Sequence, residues 1–130
     1  MKNLFLICLF LSVVLIPQIS HSSTSIASGD IKKEIRLKGS LADATIRSVF
    51  SAPIQATISS SGLDVVFLSN VGDIEVEVYA ASGSLVYENN VDTQTQENLS
   101  IDVFGWDTGI YQIRFVSSTG QYMYGTFEIE

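Results

Sequence analysis

The sequence predicts an all-β chain, an antiparallel β-sandwich of about seven strands. Three observations carry that expectation. From Pro53 onward apolar and polar residues alternate with period two, as in LSIDV and IEVEVY, which is the pattern of strands with one buried and one wet face. Turn signals punctuate the alternation at roughly the 8–12-residue spacing of sandwich strands. Beyond the N-terminal apolar run, no stretch has sustained helical periodicity.

Residues 1–22 read as a secretory signal peptide: Lys2 gives a positive start, Leu4 to Ile16 an apolar run, Pro17 its end, and Ser20 and Ser22 the small residues before a cleavage point. The run is too short for a membrane span of about 20 residues. Cys8 lies inside it rather than after it, so a lipoprotein signal is not expected. Cys8 is also the sole cysteine, so the exported chain is expected to fold without disulfides. Residues 23–30, rich in Ser, Thr, Ala and Gly, read as a flexible mature N-terminus. Residues 31–130 are then one domain, large enough to bury roughly two-thirds of its unfolded surface.

The domain's first element is DIKKEIRLK, Asp30 to Lys38, with Ile31, Ile35 and Leu37 set against Lys33, Glu34 and Arg36. It reads as an edge strand whose lysines discourage pairing with another sheet. The four-residue spacing of Ile31 and Ile35 leaves a helix as the alternative. Gly39 to Pro53 has no clean period and reads as a long connection that crosses the fold, closed by Pro53. Ile54, Ala56 and Ile58 then point inward from IQATI, and Ser60-Ser61-Gly62 turns the chain. LDVVFL is apolar on both faces, as a central strand is. After Asn70-Val71-Gly72-Asp73, IEVEVY buries Ile74, Val76 and Val78 and exposes Glu75, Glu77 and Tyr79. Ser82-Gly83 turns into LVYENNV, and a polar run from Asp92 to Asn98 follows.

The last stretch, Leu99 to Gly125, is strand, turn, strand, turn, strand. Leu99, Ile101 and Val103 alternate with Ser100 and Asp102. Gly105-Trp106-Asp107-Thr108-Gly109 is a turn, because Asp bonds nearby backbone and Gly accepts positive φ. In IYQIRFV, Tyr111, Ile113 and Phe115 face one way, Gln112 and Arg114 the other. Thr119-Gly120 closes a hairpin onto QYMYGTFEIE, which sets Met123, Gly125, Phe127 and Ile129 against Tyr122, Tyr124, Thr126 and Glu128.

Composition argues against several functions. The net charge is −7, and after Arg47 the only basic side chain is Arg114. A nucleic-acid partner needs a basic footprint and anionic lipid a basic surface, so neither is expected. The only His is His21, at the edge of the signal peptide. With no His or Cys after it, no Ser or Cys nucleophile has its usual base, so an enzyme is not expected. A calcium site would draw on Glu75 and Glu77 on one strand face, or Asp102 and Asp107 around a turn, but no calcium-loop motif frames them. The expectation is no metal and no cofactor. Trp106, Tyr79, Tyr122 and Tyr124 are the candidate surface aromatics. Such rings stack on sugars or anchor protein interfaces. Their packing role has Trp106 covering the end of the core and Tyr122 and Tyr124 pairing across strands.

IRLKGS, PIQATI, LDVVFLSNVGDIEVEVYAASGSLVYE, LSIDV with GIYQIRF, and GQYMYGTFEI together resemble the domain-of-unknown-function family 3244. Ser82 to Tyr87, Gly109 to Phe115 and the closing GTFEI are the most specific parts. The resemblance covers nearly all of residues 31–130. It implies a compact immunoglobulin-like sandwich, secreted by bacteria of the Bacteroides type, and brings no catalytic residues. The half from VYAASGSLVY onward is also similar to the sandwich domains that sort type IX secretion cargo. Those follow a large passenger and tend to end in basic residues, whereas this sequence closes on Glu128-Ile129-Glu130, so a shared architecture is expected, not a shared role. The expected function is therefore a secreted or periplasmic, non-catalytic binding module with a protein or glycan partner. The alternatives are a structural subunit that self-associates through its edge strands, and a sorting-domain-like secretion module.

Overall fold

The computed structural model describes residues 29–41 and 52–130. The expected signal peptide, residues 23–28 of the expected flexible N-terminus and most of the long connection lie outside them. Nine strands follow in chain order: β1 (Lys33–Ile35), β2 (Lys38–Gly39), β3 (Ile54–Ser59), β4 (Gly62–Phe67), β5 (Asp73–Ala80), β6 (Leu85–Asp92), β7 (Asn98–Ile101), β8 (Gly109–Ser117) and β9 (Tyr122–Ile129). There is no helix among the described residues. All strand pairs are antiparallel, and they form two sheets, ordered β1-β3-β4-β7 and β2-β9-β8-β5-β6.

Nine strands stand against about seven expected, and one of the added strands arises at the N-terminus. Asp30 to Lys38 is not one edge strand but two. β1 pairs with β3 at the edge of the four-stranded sheet, and β2 pairs with β9 at the edge of the five-stranded sheet. The chain changes sheets at Arg36 and Leu37. It crosses over Gly125 of β9, where an added Cβ would lie 2.7 Å from the Ile35 side chain and 2.8 Å from the Arg36 carbonyl oxygen. Only a residue without a side chain fits beneath the crossing.

The core lies between the sheets. Ala56, Leu63 and Val65 meet Val76, Val78, Ile113 and Phe115 across it, all essentially without solvent exposure. Phe67 and Phe115, one from each sheet, meet edge to face at 6.4 Å between ring centres. The alternation predicted for β3, β5, β8 and β9 matches the buried faces. β4 lies between β3 and β7 and buries Leu63, Val65 and Phe67, while Leu68, with the outward parity of Asp64 and Val66, is 54% exposed.

Two hairpins are built alike. In β5–β6 the Ala80 N–H donates to the Ser84 carbonyl and the Gly83 N–H to the Ala80 carbonyl. In β8–β9 the Ser117 N–H donates to Gln121 and the Gly120 N–H to Ser117. Gly83 and Gly120 both sit at φ 86°, which is the three-residue loop with a glycine in the left-handed region. Gly62 has a different task. It follows the turn Ser60-Ser61, and a Cβ there would lie 2.7 Å from the Ile101 carbonyl oxygen.

Two polar ties close the ends of the sandwich. Thr93 is a buried polar residue. Its Oγ1 donates to the Gly72 carbonyl (2.7 Å) and accepts the Val71 N–H (2.9 Å). Tyr111 donates its hydroxyl to the Asp107 carbonyl at 2.7 Å, four residues upstream. This backward bond is the tyrosine corner found in immunoglobulin-like sandwiches.

Candidate binding face

The outer face of the five-stranded sheet is where alternation delivers polar and aromatic side chains together. Glu77 lies opposite Arg114, Arg114 opposite Tyr124, and Tyr124 opposite Lys38. One step along, Tyr79 lies opposite Gln112, and Gln112 opposite Thr126. One step the other way, Glu75 lies opposite Val116, and Val116 opposite Tyr122.

Arg114 is the centre of this grid. Its guanidinium carbon stands 4.8 Å from the Tyr122 ring centre and 5.9 Å from that of Tyr79. Stacking of this kind attracts the cation to the ring's negative face. Arg114 Nε lies 3.9 Å from Glu77 Oε2, an ion pair too long for a hydrogen bond, and that Nε is buried without a hydrogen-bond partner. Glu77 Oε2 instead accepts the Tyr79 hydroxyl at 3.0 Å. That bond, with burial behind it, pushes the Tyr79 phenol above its ordinary value, so it stays protonated. Beside the cluster lies a shallow hollow of about 370 Å³ lined by Tyr79, Gln112, Arg114, Thr126 and Ile110.

The candidate aromatics therefore divide. Trp106 is half-buried and packs on Tyr111, 5.4 Å between ring centres, and Tyr111 stacks on Phe127 at 5.6 Å. It covers the end of the core, as its packing role required. Tyr122 and Tyr124 pair at 6.0 Å, but along one strand rather than across two. Residues two apart on a strand share a face, and Arg114 fills the cross-strand position. Tyr79, from β5, joins them. Sequence reasoning placed Arg114 on the outer face without giving it a role. Its signal was its isolation as a cation among acids.

Of the acids named for calcium, Glu77 belongs to this cluster, Glu75 lies beside it, and Asp102 sits in a different loop. Glu75 and Glu77 share the face, but a hydrogen bond with Glu88 pushes the Glu75 carboxyl above its ordinary value, helped by burial and by Glu77. Asp102 caps its own loop, accepting the Phe104 N–H at 2.8 Å. Among the described residues no three His, Cys, Asp or Glu side chains gather as metal ligands. A larger groove, about 650 Å³, opens at one end of the sandwich between Ile31, Ser61, Phe104 and Ile129. Ile31 and Phe104 are 86% and 93% exposed, standing in solvent rather than on one another. The sheet face, with its fixed ring and cation contacts, is the better organised surface.

The family model described as "Domain of unknown function (DUF3244)" matches residues 34–129. The chain belongs to the DUF3244 family. A solved structure of a DUF3244 family protein from Bacteroides vulgatus ATCC 8482, described as having an immunoglobulin-like β-sandwich fold, superposes with a TM-score of 0.65 at 20% identity. The match covers 77% of this chain and 100% of that one. At that identity it establishes for this DUF3244 chain the immunoglobulin-like sandwich. No curated protein matches the chain.

Proposed function

We propose that this DUF3244 protein is an exported, non-catalytic binding module of the bacterial cell envelope, acting in the periplasm or outside the cell. The observation that carries the reading is the packed group of Tyr79, Arg114, Tyr122 and Tyr124 on an otherwise acidic domain. Tyr and Arg are the residues that most often anchor protein interfaces. Arg114 already covers a face of two of the rings, which leaves less bare aromatic surface for a sugar and favours a protein partner over a glycan. Export rests on the N-terminal pattern, and predicts that protein recovered outside the cytoplasm begins near Ser23.

The test is affinity capture with the immobilised protein, offered solubilised envelope, mucus glycoprotein and culture supernatant. The expected result is one saturable partner, lost with Arg114→Gln or Tyr122→Ala while each variant still unfolds in a single cooperative thermal transition. A partner indifferent to both substitutions would overturn the assignment of this face. A second reading, self-association through edge strands, draws on the eight-residue edge strand β6. Light scattering separates the two, since mass that climbs with concentration marks self-assembly.

A further inference from the structure

The two sheets have four edge strands, and three of them are protected by brevity. β1 has three residues, β2 two and β7 four. β1 and β2 also carry lysines. β6 has eight residues, no Pro and no Lys, and among the described strands it pairs with β5 alone. A long open edge without such guards is a template for another strand.

The direction of its main chain follows from one bond. The Thr93 N–H donates to the Gly72 carbonyl. Val91, Asn89 and Tyr87 follow at steps of two, opposite Ile74, Val76 and Val78. In an antiparallel ladder these share the inward-bonding position, so Glu88 and Asn90 turn their N–H and C=O groups away from β5.

The chemistry of the occupant is written in the charges along this edge. Glu77 lies directly opposite Glu88, and Asp73 directly opposite Asp92. Like charges in that position destabilise a sheet. Glu75 adds a fifth carboxyl, two residues from Glu77 on the same face, and its hydrogen bond with Glu88 raises it above its ordinary value. Arg114 reaches Glu77 from the far side, at 3.9 Å. At the other end of β6, Leu85 and Val86 are exposed apolar footing, 47% and 40%. A strand added to β6 would carry every second side chain over Glu88 and Asn90. Two copies of β6 would instead bring these acids against each other.

We infer that β6 accepts an extended segment of a partner protein, with lysine or arginine at alternate positions, as a sixth strand of the five-stranded sheet. Main-chain bonds supply the attachment and the Glu75, Glu77 and Glu88 row selects the cations. The inference rests on the chain being an interaction module but not on the tyrosine and arginine face, so either can fail alone.

The probe is a blocked synthetic peptide of alternating lysine and valine, titrated into isotope-labelled protein and followed by amide shifts and exchange. Saturable shifts centred on Glu88 and Asn90, with slowed exchange of their N–H groups, are expected. A peptide with glutamate for lysine, and the Glu88→Lys protein with the original peptide, should each bind about tenfold more weakly or worse. A peptide with alternate main-chain nitrogens methylated should not bind, which tests strand addition in unaltered protein. Shifts centred on Arg114 and Tyr122, equal binding of the glutamate peptide, retained binding of the methylated one, or no saturable shift would each overturn the inference. So would a peptide-free dimer that buries β6.

Discussion

Thr93 shows how much one side chain can hold. It belongs to a polar run that reads as loop, yet it is buried and joins Val71, Gly72 and its own strand end through a single hydroxyl. Thr93→Val keeps the shape but strips the Val71 N–H of its hydroxyl partner, while the Gly72 carbonyl keeps the Thr93 N–H. The expected cost is about 0.5–1.5 kcal/mol in urea unfolding. Asp30 is the exposed counterpart. The last residue before the expected domain start, it accepts bonds from the Ser60 N–H and from the Ser60 and Ser61 hydroxyls. Those hydroxyls lower its carboxyl from 3.8 to about 2. A depressed carboxyl stabilises the fold above its unfolded value and loses that contribution as pH falls through its folded one. Unfolding midpoints of the wild type should therefore drop between pH 3.8 and about 2, and Asp30→Asn should flatten that drop. An unchanged slope in the variant would refute the linkage.

At the scale of elements, Gly125 governs the path of the chain. Gly125→Ala pushes a methyl group into Ile35 and the Arg36 carbonyl, and overpacking of this kind costs about 1–3 kcal/mol. Because the crossing serves two sheet edges, the variant should also speed amide exchange in β1 and β2, by hydrogen-exchange mass spectrometry. The existence and facing of most strands were legible, since alternation reports on burial locally and the Ser82-Gly83 and Thr119-Gly120 turns fix hairpin registers. The sheet to which a strand belongs is not a local property. Ile35 and Leu37 have the same parity, and nothing in IRLKGS says that one joins β3 while the chain beyond the other joins β9. The same limit hid the candidate site. Arg114 and Tyr124 meet through a hairpin, but Tyr79 arrives through the long-range pairing of β5 with β8. Thr93 was illegible for the opposite reason, a polar residue buried against the rule because its bonds are made to the backbone.

For the whole molecule, net charge and stability pull in different directions. The raised Glu75 carboxyl contributes stability that is fully present below its ordinary value of 4.5 and is lost as pH rises through its raised value. At neutral pH the Glu75, Glu77 and Glu88 row is therefore a strain on the sheet. Glu75→Gln should melt at a higher temperature than wild type at pH 7, and the gap should close as pH falls toward 4.5. The same substitution should weaken binding of the lysine peptide. A variant that gains stability and loses a partner is the behaviour of a surface kept for function. A variant that gains neither would mean that the row is simply solvated.

β2, near the start of the domain, pairs with β9, near its end. A chain that leaves a ribosome or a secretion channel with its N-terminus foremost offers β2 long before β9 exists as a partner. The five-stranded sheet cannot be completed early, because its opening edge waits for the final strand. Such a wiring diagram delays commitment, as contacts between distant parts of a chain do in general. Until the final strand is made, the opening edge has nothing to pair with, and the sandwich can shut only in a late step.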